Sequence, residues 1–189
     1  MGSQPQFTAF ERNEQLVSGS RAKVIGEIRA RLSKQPQATI LIFDDATGAQ
    51  VDFDLRETEE HRISAPSLSK EEPRAPGRPK LGVVAREITL LPRHWDWLAT
   101  QPGGASVTLR KLVDEARRAN AGSDKIRESQ ERTYRFMSAM AGNFPGFEEA
   151  CRALFGKDRS RFEALTAKWP RDVRAYACTL ADGAFSMKD

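Results

Sequence analysis

The feature that most constrains this chain is a short predicted strand, residues 83–91, with no predicted strand beside it in the sequence. A basic segment, residues 77–80, precedes the strand, and two predicted helices follow it. Pro92 begins the first helix, residues 102–104 end it, and Ser106 begins the second. A lone strand cannot pair its own backbone N–H and C=O groups. We therefore expect this strand to pair with a second copy of itself or, alternatively, with a sheet elsewhere in the chain.

The positive charge of the chain is concentrated around the same segment. Residues 74–118 hold 9 Lys or Arg against 4 Asp or Glu. Residues 1–73 hold 9 against 12, and residues 119–189 hold 12 against 10. A local excess of this kind is typical of a surface that binds phosphate groups. The alternative is a solvated surface that is rich in arginine.

Residues 1–55 are predicted to form a small ββαββ domain. A hairpin turns at residues 11–14, and residues 39–43 form a central strand. The helix between them carries apolar residues at helical spacing, namely Val24, Ile25, Ile28 and Leu32. A last strand alternates apolar residues with Asp52 and Asp54: Val51, Phe53 and Leu55. Because these apolar partners are all local, we expect residues 1–55 to fold alone.

The remainder of the chain completes an α+β architecture of four parts. Residues 56–82 are rich in Pro, Ser and Glu and are predicted to be a flexible linker that includes the basic arm. Residues 83–120 form the strand–helix–helix segment, and residues 121–189 are predicted to be a helical bundle. Helix signals in the bundle are Pro145 in a first turn, Asp158 as a cap and Pro170 as a break.

The sequence gives little support for an enzyme, a cofactor, a metal ion or a membrane. No nucleophile motif, phosphate-binding loop or dinucleotide fingerprint is present, and the two cysteines are not spaced as zinc ligands. The four aspartates 44, 45, 52 and 54 fit the wet face of a sheet better than a cation site. No apolar run approaches the roughly 20 residues of a membrane span, and no secretory signal begins the chain. We therefore expect a cytoplasmic protein without a cofactor.

The strand–helix–helix segment resembles the ribbon-helix-helix family of repressors and antitoxins. The resemblance rests on residues 86–92, on the helix with Trp95, Trp97 and Leu98, and on residues 103–106. It continues in the next helix, with Leu109, Leu112, Val113 and Ala116. It implies that two chains pair their strands antiparallel and that this ribbon enters the major groove of double-stranded DNA. At least one of the two tryptophans is expected to pack in a core or a dimer.

The resemblance and the basic arm together predict the DNA-contacting residues. Residues 77–80, Gly-Arg-Pro-Lys, resemble the core of an AT-hook, which places Arg78 and Lys80 at the backbone or the minor groove. Ser106 is expected to cap the second helix and to present its N-terminus to a phosphate. The other predicted DNA contacts are Arg86 and Thr89 at the ribbon and Arg93, Arg110 and Lys111 at the periphery.

The register of the ribbon stays open. If Ile88 and Leu90 point inward, Glu87 and Thr89 face the DNA. In the other register Arg86 and Ile88 are exposed instead.

The whole chain resembles a family of uncharacterised bacterial proteins, domain of unknown function 2239. Residues 41–48, 77–97 and 135–142 carry this resemblance. It implies a bacterial protein and no particular activity.

We expect a homodimeric, non-enzymatic DNA-binding protein that regulates transcription. The alternative is an interaction adaptor, such as an antitoxin or a phage-defence component, whose basic segment binds an acidic partner. An enzyme of unrecognised type is the third reading, and the C-terminal helices offer a surface for a protein partner.

Overall fold

The computed structural model of this protein describes residues 5–55, 84 and 86–186. Its contacts define two compact units. The first unit combines residues 1–56 with residues 120–189, and the second unit consists of residues 57–119. In sequence, the second unit is therefore an insertion between the two halves of the first.

The N-terminal half of the first unit is a four-stranded antiparallel sheet with one helix. The strands are β1 (Gln6–Glu11), β2 (Glu14–Ser20), β3 (Ile40–Asp44) and β4 (Gln50–Val51), and helix α1 spans Arg21–Lys34. The strand order is β2-β1-β3-β4. The predicted ββαββ order and the central position of β3 are confirmed. The last strand is shorter than predicted, because Phe53 and Leu55 lie beyond it, although they stay partly buried.

Both faces of this sheet are buried. On one face Ala9 and Ile42 pack against Val24 and Ile28 of α1. On the other face Phe10 and Phe43 pack into a core built by the C-terminal helices. A strand that is buried on both faces carries apolar residues at consecutive positions rather than at every second position. This explains the sequence Ile-Leu-Ile-Phe in β3.

The C-terminal part is largely helical, as predicted, but one of its helices is longer than expected. Helix α2 spans Pro92–Ala99 and α3 spans Gly104–Met140. The sequence predicted two separate helices where α3 runs on without a break. The other helices are α4 (Phe147–Phe155), α5 (Arg159–Thr166) and α6 (Arg171–Ala181), followed by a 3₁₀ turn at Asp182–Phe185. Asp158 caps α5 as predicted and accepts a hydrogen bond from Arg161 N at 3.0 Å. Pro145 precedes α4, whose N-cap is Gly146, so its predicted place in the first turn is wrong.

Four aromatic rings join the sheet to the helices. The ring of Phe136 on α3 lies 5.5 Å from Phe10, 4.9 Å from Phe43 and 4.7 Å from Tyr176 on α6. Most of these contacts are edge-to-face, an arrangement that adds stability to the burial of the rings. The sheet and the C-terminal helices therefore share one core. Whether residues 1–55 also fold without these helices stays a prediction.

Side chains of α3 satisfy the carbonyl groups at the ends of two neighbouring helices. Ser129 Oγ and Arg132 Nε donate to the carbonyl of Leu180, near the end of α6, at 2.7 and 3.0 Å. Gln130 Nε2 donates to the carbonyl of Leu154, near the end of α4, at 3.0 Å. The last carbonyls of a helix have no partner within it. These three side chains therefore hold two helix ends against α3.

We expect Phe136→Ala to lower the free energy of unfolding by about 3–5 kcal/mol, because it leaves a cavity among the three remaining buried aromatic rings. Chemical denaturation followed by circular dichroism measures the change. Phe155→Ala is the matched control, since that ring is 50% exposed. An equal, small effect of both substitutions would contradict a shared aromatic core.

Candidate nucleic-acid interface

The second unit contains a two-helix segment: α2, a glycine turn and the start of α3. Pro92 occupies the first position of α2, where its missing N–H costs nothing, and the Leu91 carbonyl accepts from His94 N at 2.8 Å. The helix ends at Ala99, and Thr100 N and Oγ1 both donate to the carbonyl of Trp97. Gly103 and Gly104 then adopt φ values of 86° and 75°, which side chains other than glycine rarely allow. The predicted helix, glycine turn and second helix are confirmed here.

The described residues of the strand predicted before this two-helix segment do not form a strand within the chain. Residues 84 and 86–91 belong to no helix or strand, and every strand of the sheet lies between residues 6 and 51. The alternative that this segment joins the chain's own sheet is therefore wrong for the described residues. The structure of a single chain gives no evidence for a ribbon-helix-helix module, and pairing between two chains stays a prediction.

The described part of the second unit leaves most of its large apolar side chains exposed. Leu98, at 2% exposure, is the buried residue among positions 84 and 86–119. The exposed apolar residues, which we call the apolar surface, are Val84, Ile88, Leu91, Trp95, Trp97, Val107, Leu112 and Val113. Trp97 and Val113 are 50% and 55% exposed. Neither tryptophan packs in a core among the described residues. At least one was expected to pack in a core or in a dimer, and packing in a dimer stays a prediction.

The predicted DNA-contacting residues fall into three groups. Arg78 and Lys80 lie outside the described residues. Arg86, Thr89 and Arg93 are exposed around the start of α2, and no hydrogen bond or ion pair of their side chains to a described residue is found. Ser106, Arg110 and Lys111 are exposed on the first turns of α3, and the structure brings Ser106 and Arg110 together.

Ser106 does not cap α3 as predicted, because the helix begins two residues earlier at Gly104. Ser106 lies within the first turn, where its Oγ accepts a hydrogen bond from Arg110 Nη2 at 3.2 Å. Arg110 Nε also donates to the carbonyl of Ser106 at 3.0 Å. The glycine pair allows the earlier start, because Gly104 N donates to the Gln101 carbonyl and so closes the turn.

The sequence analysis did not predict a group of hydrogen-bonded polar side chains in the first unit. Tyr176 donates from its hydroxyl to Asp45 Oδ1 at 2.6 Å, and the Thr8 hydroxyl lies 2.8 Å from the same oxygen. Burial, and then the hydrogen bond to Asp45, raise the pKa of Tyr176 far above its ordinary value. Tyr176 therefore stays protonated at neutral pH and acts as a fixed donor that ties α6 to the sheet. The turn signal at residues 44–48 marked the place, but it did not reveal the partner 131 positions away.

The turn that carries Asp45 is also pressed against α3. Gly48 has a φ of 65°, and a Cβ placed there would lie 1.9 Å from the carbonyl oxygen of Arg132. Asp44 Oδ1 accepts from Ala46 N at 2.8 Å and shapes the turn, while Arg135 donates to the carbonyl of Thr47. Asp44 and Asp45 thus accept hydrogen bonds that hold the turn and α6 in place, whereas Asp52 and Asp54 are exposed. Within residues 5–55, 84 and 86–186, no group of three or more His, Cys, Asp or Glu side chains could hold a metal ion.

The comparisons with known proteins identify a family and no activity. A model of uncharacterized proteins conserved in bacteria, DUF2239, matches residues 6–181. The chain belongs to this family. No curated protein and no solved structure matches it. None of the helices in the described ranges combines the length and the apolar character needed to cross a membrane.

The buried tyrosine predicts a pH dependence of stability. The ordinary pKa of tyrosine is 10.0 and the folded value is raised, so this contribution is fully present below pH 10 and is lost as the pH rises above it. Tyr176→Phe should remove that part of the decline and lower the free energy of unfolding by about 1–3 kcal/mol at neutral pH, because the half-buried carboxylate of Asp45 loses a donor. Urea denaturation between pH 7 and 11 measures both effects. Tyr134→Phe, at an exposed ring, should change neither.

Proposed function

We propose that the protein is a homodimeric, non-enzymatic DNA-binding protein of the cytoplasm that regulates transcription. The observation that carries this proposal is the apolar surface of the second unit. Large contiguous apolar surface on a soluble protein marks an interaction site. Eight large apolar side chains are exposed here, in the part of the sequence that also has the largest excess of positive charge.

A second copy of the chain is the partner that fits this surface best. Helix α2 has only 8 residues, and isolated helices of that length are marginal in water. Residues 111–119 of α3 are exposed on every side although they include Leu112 and Val113. In a two-fold dimer, these residues of one chain would be covered by the same residues of the other chain. It would also give residues 84 and 86–91 an antiparallel partner, which no described residue of the same chain provides.

The charges of the described segment support binding to phosphate. All its Lys and Arg side chains are exposed: Arg86, Arg93, Arg110, Lys111, Arg117 and Arg118. A dimer doubles this set and adds Arg78 and Lys80 of each chain. Contacts of this kind give affinity without base specificity, so Arg86 and Thr89 are proposed to read the bases.

The adaptor hypothesis is favoured by a separate observation. Four carboxylates are exposed among the same cations: Glu87, Asp96, Asp114 and Glu115. The described residues 84 and 86–119 therefore hold 6 Lys or Arg against 4 Asp or Glu, a smaller excess than residues 74–118 as a whole. A surface of mixed charge around apolar side chains is also typical of a protein–protein interface.

The two cysteines support a non-enzymatic role. Burial, followed by the nearby Glu148, raises the pKa of Cys151 to about 11, and burial also raises the pKa of Cys178. A thiol with a raised pKa is a poor nucleophile because little of it is ionised at neutral pH. His94 on α2 is the histidine among the described residues, and it lies in the other unit from both cysteines.

We expect the protein to be a dimer at micromolar concentration, and Ile88→Asp to weaken it at least tenfold. A charge at a buried apolar contact forfeits the burial, worth about 1.5–3 kcal/mol, and adds a desolvation cost. Analytical ultracentrifugation measures the dissociation constant. Thr89→Asp is the matched control, since neighbouring residues of a strand face opposite sides.

The same pair of variants decides the register of the ribbon. Loss of the dimer with Ile88→Asp alone places Ile88 inside, and loss with Thr89→Asp alone gives the other register. A monomeric wild-type protein, or a dimer that tolerates both changes, would contradict the ribbon.

We expect binding to duplex DNA to weaken steeply with salt, and the double variant Arg78→Ala, Lys80→Ala to flatten that dependence. Each lost phosphate contact removes about 0.9 from the slope of log K against log salt, so a double loss in each of two chains removes up to about 3.6. Fluorescence anisotropy at several salt concentrations measures the slope. The control is Lys125→Ala, Arg127→Ala, which removes the same charges from an exposed part of α3 in the first unit.

The choice of DNA separates the proposal from the adaptor hypothesis. Arg86→Ala or Thr89→Ala should alter which sequences a selected DNA pool contains while leaving the salt slope nearly unchanged. If heparin competes as well as any duplex and no sequence is enriched, the adaptor hypothesis is the better one.

A further inference from the structure

A pocket beside the first turns of α6 has no role in the proposed function. Its volume is about 410 Å³, and its lining residues are Ala167, Trp169, Arg171, Arg174, Ala175 and Cys178. All of them belong to the first unit. Pockets for small ligands commonly have volumes of about 300–1,000 Å³.

The charged lining of this pocket is entirely cationic. Arg171 and Arg174 line it, and no carboxylate of the described residues does. Neither guanidinium makes a hydrogen bond or an ion pair to another described residue. Arg174 Nε is buried and has no hydrogen-bond partner in the described structure. A buried donor without a partner is rare in folded proteins, since it costs free energy that a ligand or water would recover.

The remaining walls are apolar and fixed in position. Trp169 is 4% exposed, and its Nε1–H donates to the carbonyl of Pro145 at 3.0 Å. The indole therefore has no donor left for a ligand and contributes an apolar surface. Burial raises the pKa of Cys178, so its thiol is neutral and does not repel an anion.

We propose that this pocket binds a small organic anion, whose phosphate or carboxylate group is held by Arg171 and Arg174. The planar, forked guanidinium group of each arginine can donate two parallel hydrogen bonds to two oxygens of a phosphate or carboxylate. The apolar part of the ligand lies against Ala167, Trp169 and Ala175. This site stands on the first unit alone and does not rest on DNA binding.

Calorimetric titration of the full chain with phenyl phosphate, benzoate and inorganic phosphate tests the proposal. We expect at least one of the two aromatic anions to bind, and the stronger one identifies the group that the arginines prefer. Benzyl alcohol, which lacks the charge, should not bind. Arg174→Gln and Arg171→Gln should each weaken binding at least tenfold, because charge-assisted bonds are lost. Lys168→Gln, an exposed neighbour outside the pocket, should change binding less than twofold.

A second measurement does not depend on folding of the variants. Cys178 lines the pocket and Cys151 does not, yet both thiols are partly buried. The bound anion should slow modification of Cys178 by a neutral maleimide and leave the rate at Cys151 unchanged, as followed by mass spectrometry. The proposal is overturned if neither aromatic anion binds at millimolar concentration, if Lys168→Gln weakens binding as much as Arg174→Gln, or if Cys178 is not protected more than Cys151.

Discussion

The contact of Phe10 and Phe43 with Phe136 and Tyr176 is the interaction on which the first unit depends. A small sheet needs an apolar layer on each buried face, and α1 can cover only one of them. The second layer comes from residues that follow an intervening segment of more than 60 positions. Closing so long a loop costs little more than closing a shorter one, because the entropy rises only with the logarithm of its length. The chain can therefore carry an entire second unit between the two halves of one core.

Two of the three sequence runs that resemble the bacterial family are explained by this packing. Residues 41–48 contribute β3, the donor-satisfied Asp45 and the glycine that lies against the backbone of Arg132. Residues 135–142 contribute Phe136 and Met137, both fully buried. These runs specify the fold and need no catalytic explanation. The third run, residues 77–97, lies in the second unit, where the described side chains are mostly exposed. The second unit is therefore a better candidate for the functional site than the aspartates of the sheet.

The sequence predicted local structure well wherever a local signal decides it. Period-two and helical spacing gave the ββαββ order, and Pro92, Gly103 and Asp158 marked helix ends that the structure contains. Long-range partners left weaker signals. The run Ile-Leu-Ile-Phe indicated a strand. A second apolar layer could have been predicted only from the further inference that both faces of this strand are buried. The continuity of α3 was missed because residues 119–123 carry no apolar stripe, and the pairing of Tyr176 with Asp45 has no local signal. Of the candidate DNA-contacting residues, the exposure of six could be predicted from their polarity. Their assembly into one surface is part of the proposed dimer, and no feature of a single chain specifies it.

In the proposed dimer, the exposed apolar side chains of the second unit would couple its stability to its partner. A two-helix segment that buries Leu98 and exposes its tryptophans, Leu112 and Val113 gains little from its own packing. Covering these side chains with a second copy would add about 25 cal/mol for each Å² of apolar area removed from water. A partner that binds only the folded form of this segment stabilises it by mass action, so the stability of the segment would rise with protein concentration. The first unit has a closed aromatic core and does not need such help. Under the proposed dimer, the two units of one chain therefore respond differently to dilution, which makes the second unit the part of the molecule in which assembly and DNA binding are thermodynamically linked.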